Sequence, residues 1–223
     1  MTIDYTYSFF RVSKSEEIYR SAQKYRDLRL QALQVSPGSF ASTYETESAF
    51  TDNDWISRLT DPGYEIFISA ATSPHYSLSE PEWVGQVTLR GPASSQDFTL
   101  PAASCQPPQK SDSEEERWQM LSLFTLPEHR GNRLGANLCR EALDYLRNYR
   151  LSPPSIHVRL MVRPENQVAV KLYRRLGFIA AGNCNLSEAL VANGDGYLLP
   201  KDLSATKWST RTGLIMSLWI TRH

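Results

Sequence analysis

The sequence has too few cysteines for a disulfide framework: Cys105, Cys139 and Cys184 are odd in number and show no C-x-x-C spacing. No metal is indicated by such a set. Net charge is also missing. Lys plus Arg and Asp plus Glu stand at 24 each, so no long-range field gathers polyanions or lipid headgroups, and nucleic acid and membrane are not expected partners. No apolar run reaches the length of a membrane span, and Met1 to Tyr5 carry no basic segment followed by an apolar core. A cytoplasmic location is expected, or a nuclear one. What is present is ordinary for a folding chain: 41% hydrophobic and 22% charged residues over 223 positions, enough for one well-filled core. One domain spanning 1–223 is the expectation, as a monomer or homodimer.

Along the chain, aromatic and β-branched residues from Tyr5 to Val12 predict a strand, and Ser13 with Glu16 makes an S-x-x-E cap for a helix that Pro37-Gly38 stops. Ser39 to Phe50 reads as a loop. Thr51 and Asp54 cap a short helix holding Trp55, Ile56 and Leu59, which Asp61-Pro62-Gly63 ends. Strands follow over Tyr64 to Ala70 and Trp83 to Leu89, as a hairpin. Residues 91–117 turn to Pro, Ser, Gln and acids, with too little apolar surface to offset the entropy of ordering them, and are expected to be a flexible insertion. An apolar strand from Met120 to Thr125 precedes a long amphipathic helix carrying Leu134, Leu138, Ala142 and Leu146. Ile156 to Val162 alternates as a strand, Asn166 caps a helix to Leu176, and strands begin at Gly177-Phe178 and Leu214. The alternation of strands and helices is an α/β order.

The segment Leu123 to Ala136 combines strand, turn and helix start. Amides from about Asn132 to Ala136 at a helix N-terminus can cradle a phosphate, because they lack intrahelical acceptors and carry the positive end of the dipole. Gly131 and Gly135 let the backbone approach it, while Arg130 and Arg133 add positive charge. The turn has neither the Lys-Ser or Lys-Thr pair of a P-loop nor the G-x-G-x-x-G of a dinucleotide fold, so a nucleotide-binding module is the weakest reading.

This segment resembles motif A of the GCN5-related N-acetyltransferase (GNAT) superfamily, V-x-P-x-x-[RQ]-G-x-G-x-[GA]. Arg130, Gly131 and Gly135 match, whereas Thr125 stands where valine is usual and Arg133 where the middle glycine is usual. A positive φ at Arg133 would cost on the order of 1 kcal/mol. The run Leu160-x-Val162-x-x-x-Asn166-x-x-Ala169-x-x-Leu172-Tyr173-x-x-x-Gly177-Phe178 resembles motif B. Leu28 to Phe40 with Trp55 to Leu59 resembles the family's paired N-terminal helices.

The resemblance implies a mixed, mostly antiparallel central sheet with helices on both faces and a V-shaped splay between the strands near 120–125 and 156–162. It implies acetyl-CoA as co-substrate, no metal, and a small-molecule or peptide amine as acceptor. Phe124 and Thr125 would pair with the pantetheine arm; Arg130, Gly131, Asn132, Arg133, Leu134, Gly135 and Ala136 would hold the diphosphate; Asn166 would approach the coenzyme. Tyr173 matches the tyrosine that protonates the departing thiolate. Relatives often place a glutamate base on the strand leading into motif A, where this chain has Gln119, Leu121 and Ser122. Ordered water, Glu45 or Glu47 could serve instead. His129 and His157 read as surface or hydrogen-bonded histidines. Two readings follow: an N-acetyltransferase working by direct attack in a ternary complex, or an acyl-CoA-binding regulator without turnover.

Overall fold

A computed structural model describes residues 5–73 and 80–222. Among the described residues seven strands form one sheet in the order β1-β2-β3-β4-β5-β7-β6: β1 Thr6–Arg11, β2 Tyr64–Thr72, β3 Glu82–Ala93, β4 Glu115–Thr125, β5 Ser155–Val162, β6 Ile179–Cys184 and β7 Gly213–Thr221. β4 and β5 run parallel; β1 with β2, β5 with β7 and β6 with β7 run antiparallel. This is the mixed, mostly antiparallel sheet that the resemblance implies. The chain divides into two compact units, Met1–Thr88 with Ser122–Leu143, and Leu89–Leu121 with Asp144–His223.

In the first unit the helices α1 Ile18–Val35, α2 Tyr44–Ser48 and α3 Asp52–Thr60 accompany β1, β2 and the first half of β3. Their shared core includes Val12, Tyr25, Leu28, Trp55, Leu59, Ile68, Val84, Phe124, Leu126 and Leu134. Burial on this scale is what holds short helices such as α3 in place. The predicted Thr51 and Asp54 capping box is present, with Asp54 N–H donating to Thr51 Oγ1 at 3.3 Å and Thr51 N–H to Asp54 Oδ2 at 2.8 Å. The other cap differs from expectation. Ser13 Oγ does accept from Glu16 N–H at 3.2 Å, but α1 begins only at Ile18, because Glu17 adopts φ 47 and turns the chain first. The expected loop 39–50 contains α2, capped by Thr43. The connection of the predicted hairpin, 74–79, lies outside the described residues.

In the second unit, residues 91–117 depart from the expected insertion. β3 runs on to Ala93, α4 spans Ser95–Phe98, and β4 opens at Glu115. Phe98 and Ser104 are buried, as are Glu115, Glu116 and Arg117. Polar contacts order the segment where apolar surface is scarce. Arg117 Nη1 donates to Asp112 Oδ1 at 2.7 Å and to the Glu115 carbonyl at 3.0 Å, and Ser95 N–H reaches Asp112 Oδ1 at 2.8 Å. Buried Arg159 donates to the Phe98 carbonyl at 2.6 Å with its guanidinium 3.8 Å from the ring centroid. Between the last two strands lies a further helix, α7 Leu186–Asn193, whose capping box is Asn185 and Glu188. Two short pieces complete the order: α6 Gln167–Arg175 and α8 Thr206–Ser209, with the long α5 Leu134–Tyr149 preceding β5.

Candidate functional site

The turn that links β4 to α5 is built from both ends. Leu126 N–H donates to the Val84 carbonyl at 2.8 Å, fixing where the strand stops, and Pro127–His129 then forms one 3-10 turn. His129 is buried at its centre, with Nδ1 3.1 Å from the Tyr7 hydroxyl and its ring edge-on to Tyr5 at 4.8 Å. Asn132 Nδ2 donates to the same hydroxyl and to the His129 carbonyl, each at 3.1 Å. His129 is thus a hydrogen-bonded histidine within the core, not at the surface. Asn132, expected among the coenzyme residues, has its side-chain amide engaged in bracing the turn.

Backbone conformation suits the anion cradle. Gly131 has φ 88, and among the described residues nothing lies within 4 Å of a Cβ added there, so they leave its side of the turn open. Arg133 has φ 58, the left-handed conformation that the glycine pattern anticipates, so this exposed residue carries the conformational cost that glycine avoids. The first bond of the α5 ladder runs from Asn137 N–H to the Arg133 carbonyl at 3.1 Å. The amides of Leu134, Gly135 and Ala136 therefore precede the ladder, as the first-turn donors of a sixteen-residue helix. Leu134 turns its side chain into the core, which sets the direction of those amides. Exposed Arg130 donates from Nε to the Thr125 carbonyl at 3.1 Å, so that carbonyl is engaged, and its guanidinium carbon lies 5.9 Å from the Phe124 ring centroid. A diphosphate fits this donor set: backbone amides at a helix start, glycine space and two arginines.

Two further features belong to β4. Its register with β5 runs from Glu115↔Ser155 to Met120↔Leu160. Two residues later Ser122 adopts φ 58, a left-handed residue inside a strand. Sequence reasoning assigned Ser122 no role.

Asn166 and Tyr173 lie in the second unit, the first as the cap of α6 and the second within it. Asn166 Oδ1 accepts from Ala169 N–H at 3.2 Å, the capping role expected of it. Tyr173 is 8% exposed, and its ring meets Phe178 at 5.8 Å.

The carboxylates considered as bases divide sharply. Glu47 is buried against Arg29 and Arg58. Burial pushes its carboxyl up, but the Arg29 hydrogen bonds and charge, joined by Arg58, hold it below the usual range. A carboxylate fixed as an anion by two arginines is a poor acceptor of a proton, which removes Glu47 as a base. Glu45, open to water, is held down by a backbone amide and the Thr43 hydroxyl. Gln119 accepts from Arg159 Nε at 2.8 Å and donates to Asn193 Oδ1 at 3.2 Å. His157 lies buried with Nε2 2.8 Å from Ser217 Oγ and its ring stacked on Trp219 at 4.4 Å. Burial, then Arg159 and Arg117, drive its pKa down to about 3.

No curated protein sequence matches the chain. Among solved structures, an acetyltransferase of the GNAT family from Streptococcus pneumoniae superposes with a TM-score of 0.59 at 12% identity, covering 96% of this chain and 100% of that one. Arabidopsis thaliana NAA60 in complex with a bisubstrate analogue gives 0.55 at 14% identity, with 97% and 100% covered. YncA of Salmonella typhimurium, a putative acetyltransferase with its cofactor acetyl-CoA, gives 0.56 at 12% identity, with 98% and 96% covered. These likenesses establish the fold. A family model for the acetyltransferase (GNAT) family matches residues 39–178, more than half of the sequence and inclusive of both motifs, and the chain therefore belongs to that family.

Proposed function

We propose that this acetyltransferase moves an acetyl group from acetyl-CoA to a primary amine of a small molecule or peptide, by direct attack within a ternary complex. The observation that carries the reading is the turn at 130–136, where a positive φ at Gly131 and Arg133 leads into the unladdered amides of Leu134 to Ala136. These amides, with Arg130 and Arg133, would hold the diphosphate of the coenzyme. Acetyl-CoA would bring the acetyl group as a thioester, already activated toward an amine. Phe124 and Thr125 would offer backbone groups beside the arm of the coenzyme, and an amide there would stabilise charge on the thioester oxygen.

By the resemblance, Asn166 would approach the coenzyme and the Tyr173 phenol would supply the proton that the thiolate takes up on leaving. With Glu47 held by arginines and Gln119 engaged, ordered water would take the proton of the attacking ammonium. Proximity of the two substrates then provides most of the acceleration. The acetyl-CoA complexes reported for Arabidopsis NAA60 and for YncA support the choice of donor.

The test joins calorimetry of acetyl-CoA binding to release of free thiol with a panel of primary amines. Binding with amine-dependent thiol release is expected. Tight binding without turnover on any amine would replace the reading with an acyl-CoA-binding regulator, and absence of binding heat would remove both.

A further inference from the structure

Arg29 and Glu47 form a buried ion pair in the first unit, their side chains 5% and 0% exposed. Two contacts run in parallel, Nε to Oε2 at 3.0 Å and Nη2 to Oε1 at 2.7 Å, and Arg58 Nη1 adds a third to Oε2 at 2.9 Å. Removing such charges from water costs several kcal/mol per ion, so the pair is a weak source of stability and a strong constraint on geometry.

What Arg29 constrains is β4. Its Nη1 donates to Ser122 Oγ at 3.3 Å, while Gln86 Nε2 donates to the Ser122 carbonyl at 3.3 Å. Ser122 thereby has side chain and backbone both held at a φ of 58, which an L-residue enters at a cost on the order of 1 kcal/mol. A second line of contact runs from Arg29 over the Phe40 ring at 4.5 Å, and from Phe40 to Phe124 at 6.1 Å between centroids. Arg29 thus bears on β4 at Ser122 directly and at Phe124 through one aromatic ring. The residues so held are those just before the phosphate turn.

We propose that Glu47 is a positioning residue for the transfer: through Arg29 it keeps Ser122 left-handed and so aims the backbone of Leu123 to Thr125. The inference rests on the proposed reaction only for its kinetic assay. Glu47→Gln keeps the shape and removes the charge. In that variant amide hydrogen exchange at 122–125 is expected to accelerate roughly tenfold more than in β1 and β2. The kcat should fall roughly tenfold while the Kd for acetyl-CoA moves less than about threefold.

Glycine enters φ 58 without a Cβ penalty, so adding Ser122→Gly to Glu47→Gln should recover most of the lost kcat. A merely structural pair would give no such recovery. Exchange that rises evenly over the first unit, or a double variant no faster than the single one, overturns the proposal. Where Glu47→Gln does not fold, Ser122→Ala removes only the acceptor of Arg29, and unchanged exchange at 122–125 in that variant overturns it equally. Absence of turnover in the unaltered protein would defeat the transfer reading, and the exchange comparison would still decide the positioning.

Discussion

His157 offers a stability measurement whose size follows from its surroundings. Its ring is closed in by Trp219, Phe98, Ser217 and Gln109, with Arg159 and Arg117 adding positive charge nearby. Glu115 Oε1 stands 3.8 Å from Nδ1, but that carboxylate is also engaged by Trp219 Nε1 at 3.0 Å and by Arg117 Nε at 3.6 Å. Desolvation and the two arginines prevail, and the folded pKa falls from 6.5 to about 3. Between those values the unfolded chain binds a proton that the folded chain refuses. Stability from this group is therefore complete above 6.5 and lost as pH falls toward 3.

The slope is roughly 1 kcal/mol per pH unit, which integrates to about 2 kcal/mol between about pH 7 and about pH 5. Urea unfolding of the native protein and of His157→Gln across that range supplies the comparison, because carboxylates common to both cancel in the difference. The native protein should lose about 2 kcal/mol more than the variant. Equal slopes, or a ring titration by NMR with its midpoint near the ordinary value, would refute the reasoning.

Tyr173→Phe should lower kcat by roughly tenfold or more while leaving the Kd for acetyl-CoA nearly unchanged, and unaltered turnover would take the phenol out of the reaction. Gly135→Glu brings bulk and negative charge to the amides of the α5 start and should weaken acetyl-CoA binding by calorimetry at least roughly tenfold; undiminished affinity would place the diphosphate elsewhere. Gly182→Ala meets two obstacles, a φ of 128 and a Cβ that would collide with the Ser104 carbonyl oxygen, and should cost roughly 2 kcal/mol in urea unfolding. A neutral effect there would mean that residues 102–106 do not hold their place against β6.

Much of the sheet was legible because its strands carry local signals. Alternation and β-branching marked β1, β2 and β5 to within a few residues, and the Thr51 and Asp54 box marked α3 because a capping box is complete within four residues. Where the deciding partner lies far along the chain, sequence reading fell short. Residues 91–117 are poor in apolar side chains, yet they are ordered by Arg117 within the segment and by Arg159 from β5, which composition does not register. Asn185-x-x-Glu188 carries the same capping signal as Thr51-x-x-Asp54, but the helix it opens lacks a strong apolar stripe.

The shape of the turn at 130–136 was readable from two glycines and the place of Arg133, whose φ of 58 is the conformation that the pattern demands of that position. The engagement of Glu47, offered as a base, was not legible because its arginines are contributed by α1 and α3. Ser122 has no marker in sequence, since a serine at φ 58 reads like any strand serine.

The bond between Tyr7 and the His129 turn joins positions 122 apart in sequence, and Asn132 extends the span to 125. During synthesis β1 must wait for the 122 residues that separate Tyr7 from His129 before that latch can close. A change at Tyr7 therefore acts at a distance in sequence, on the turn between β4 and α5, and its effect belongs to that turn as much as to the first strand.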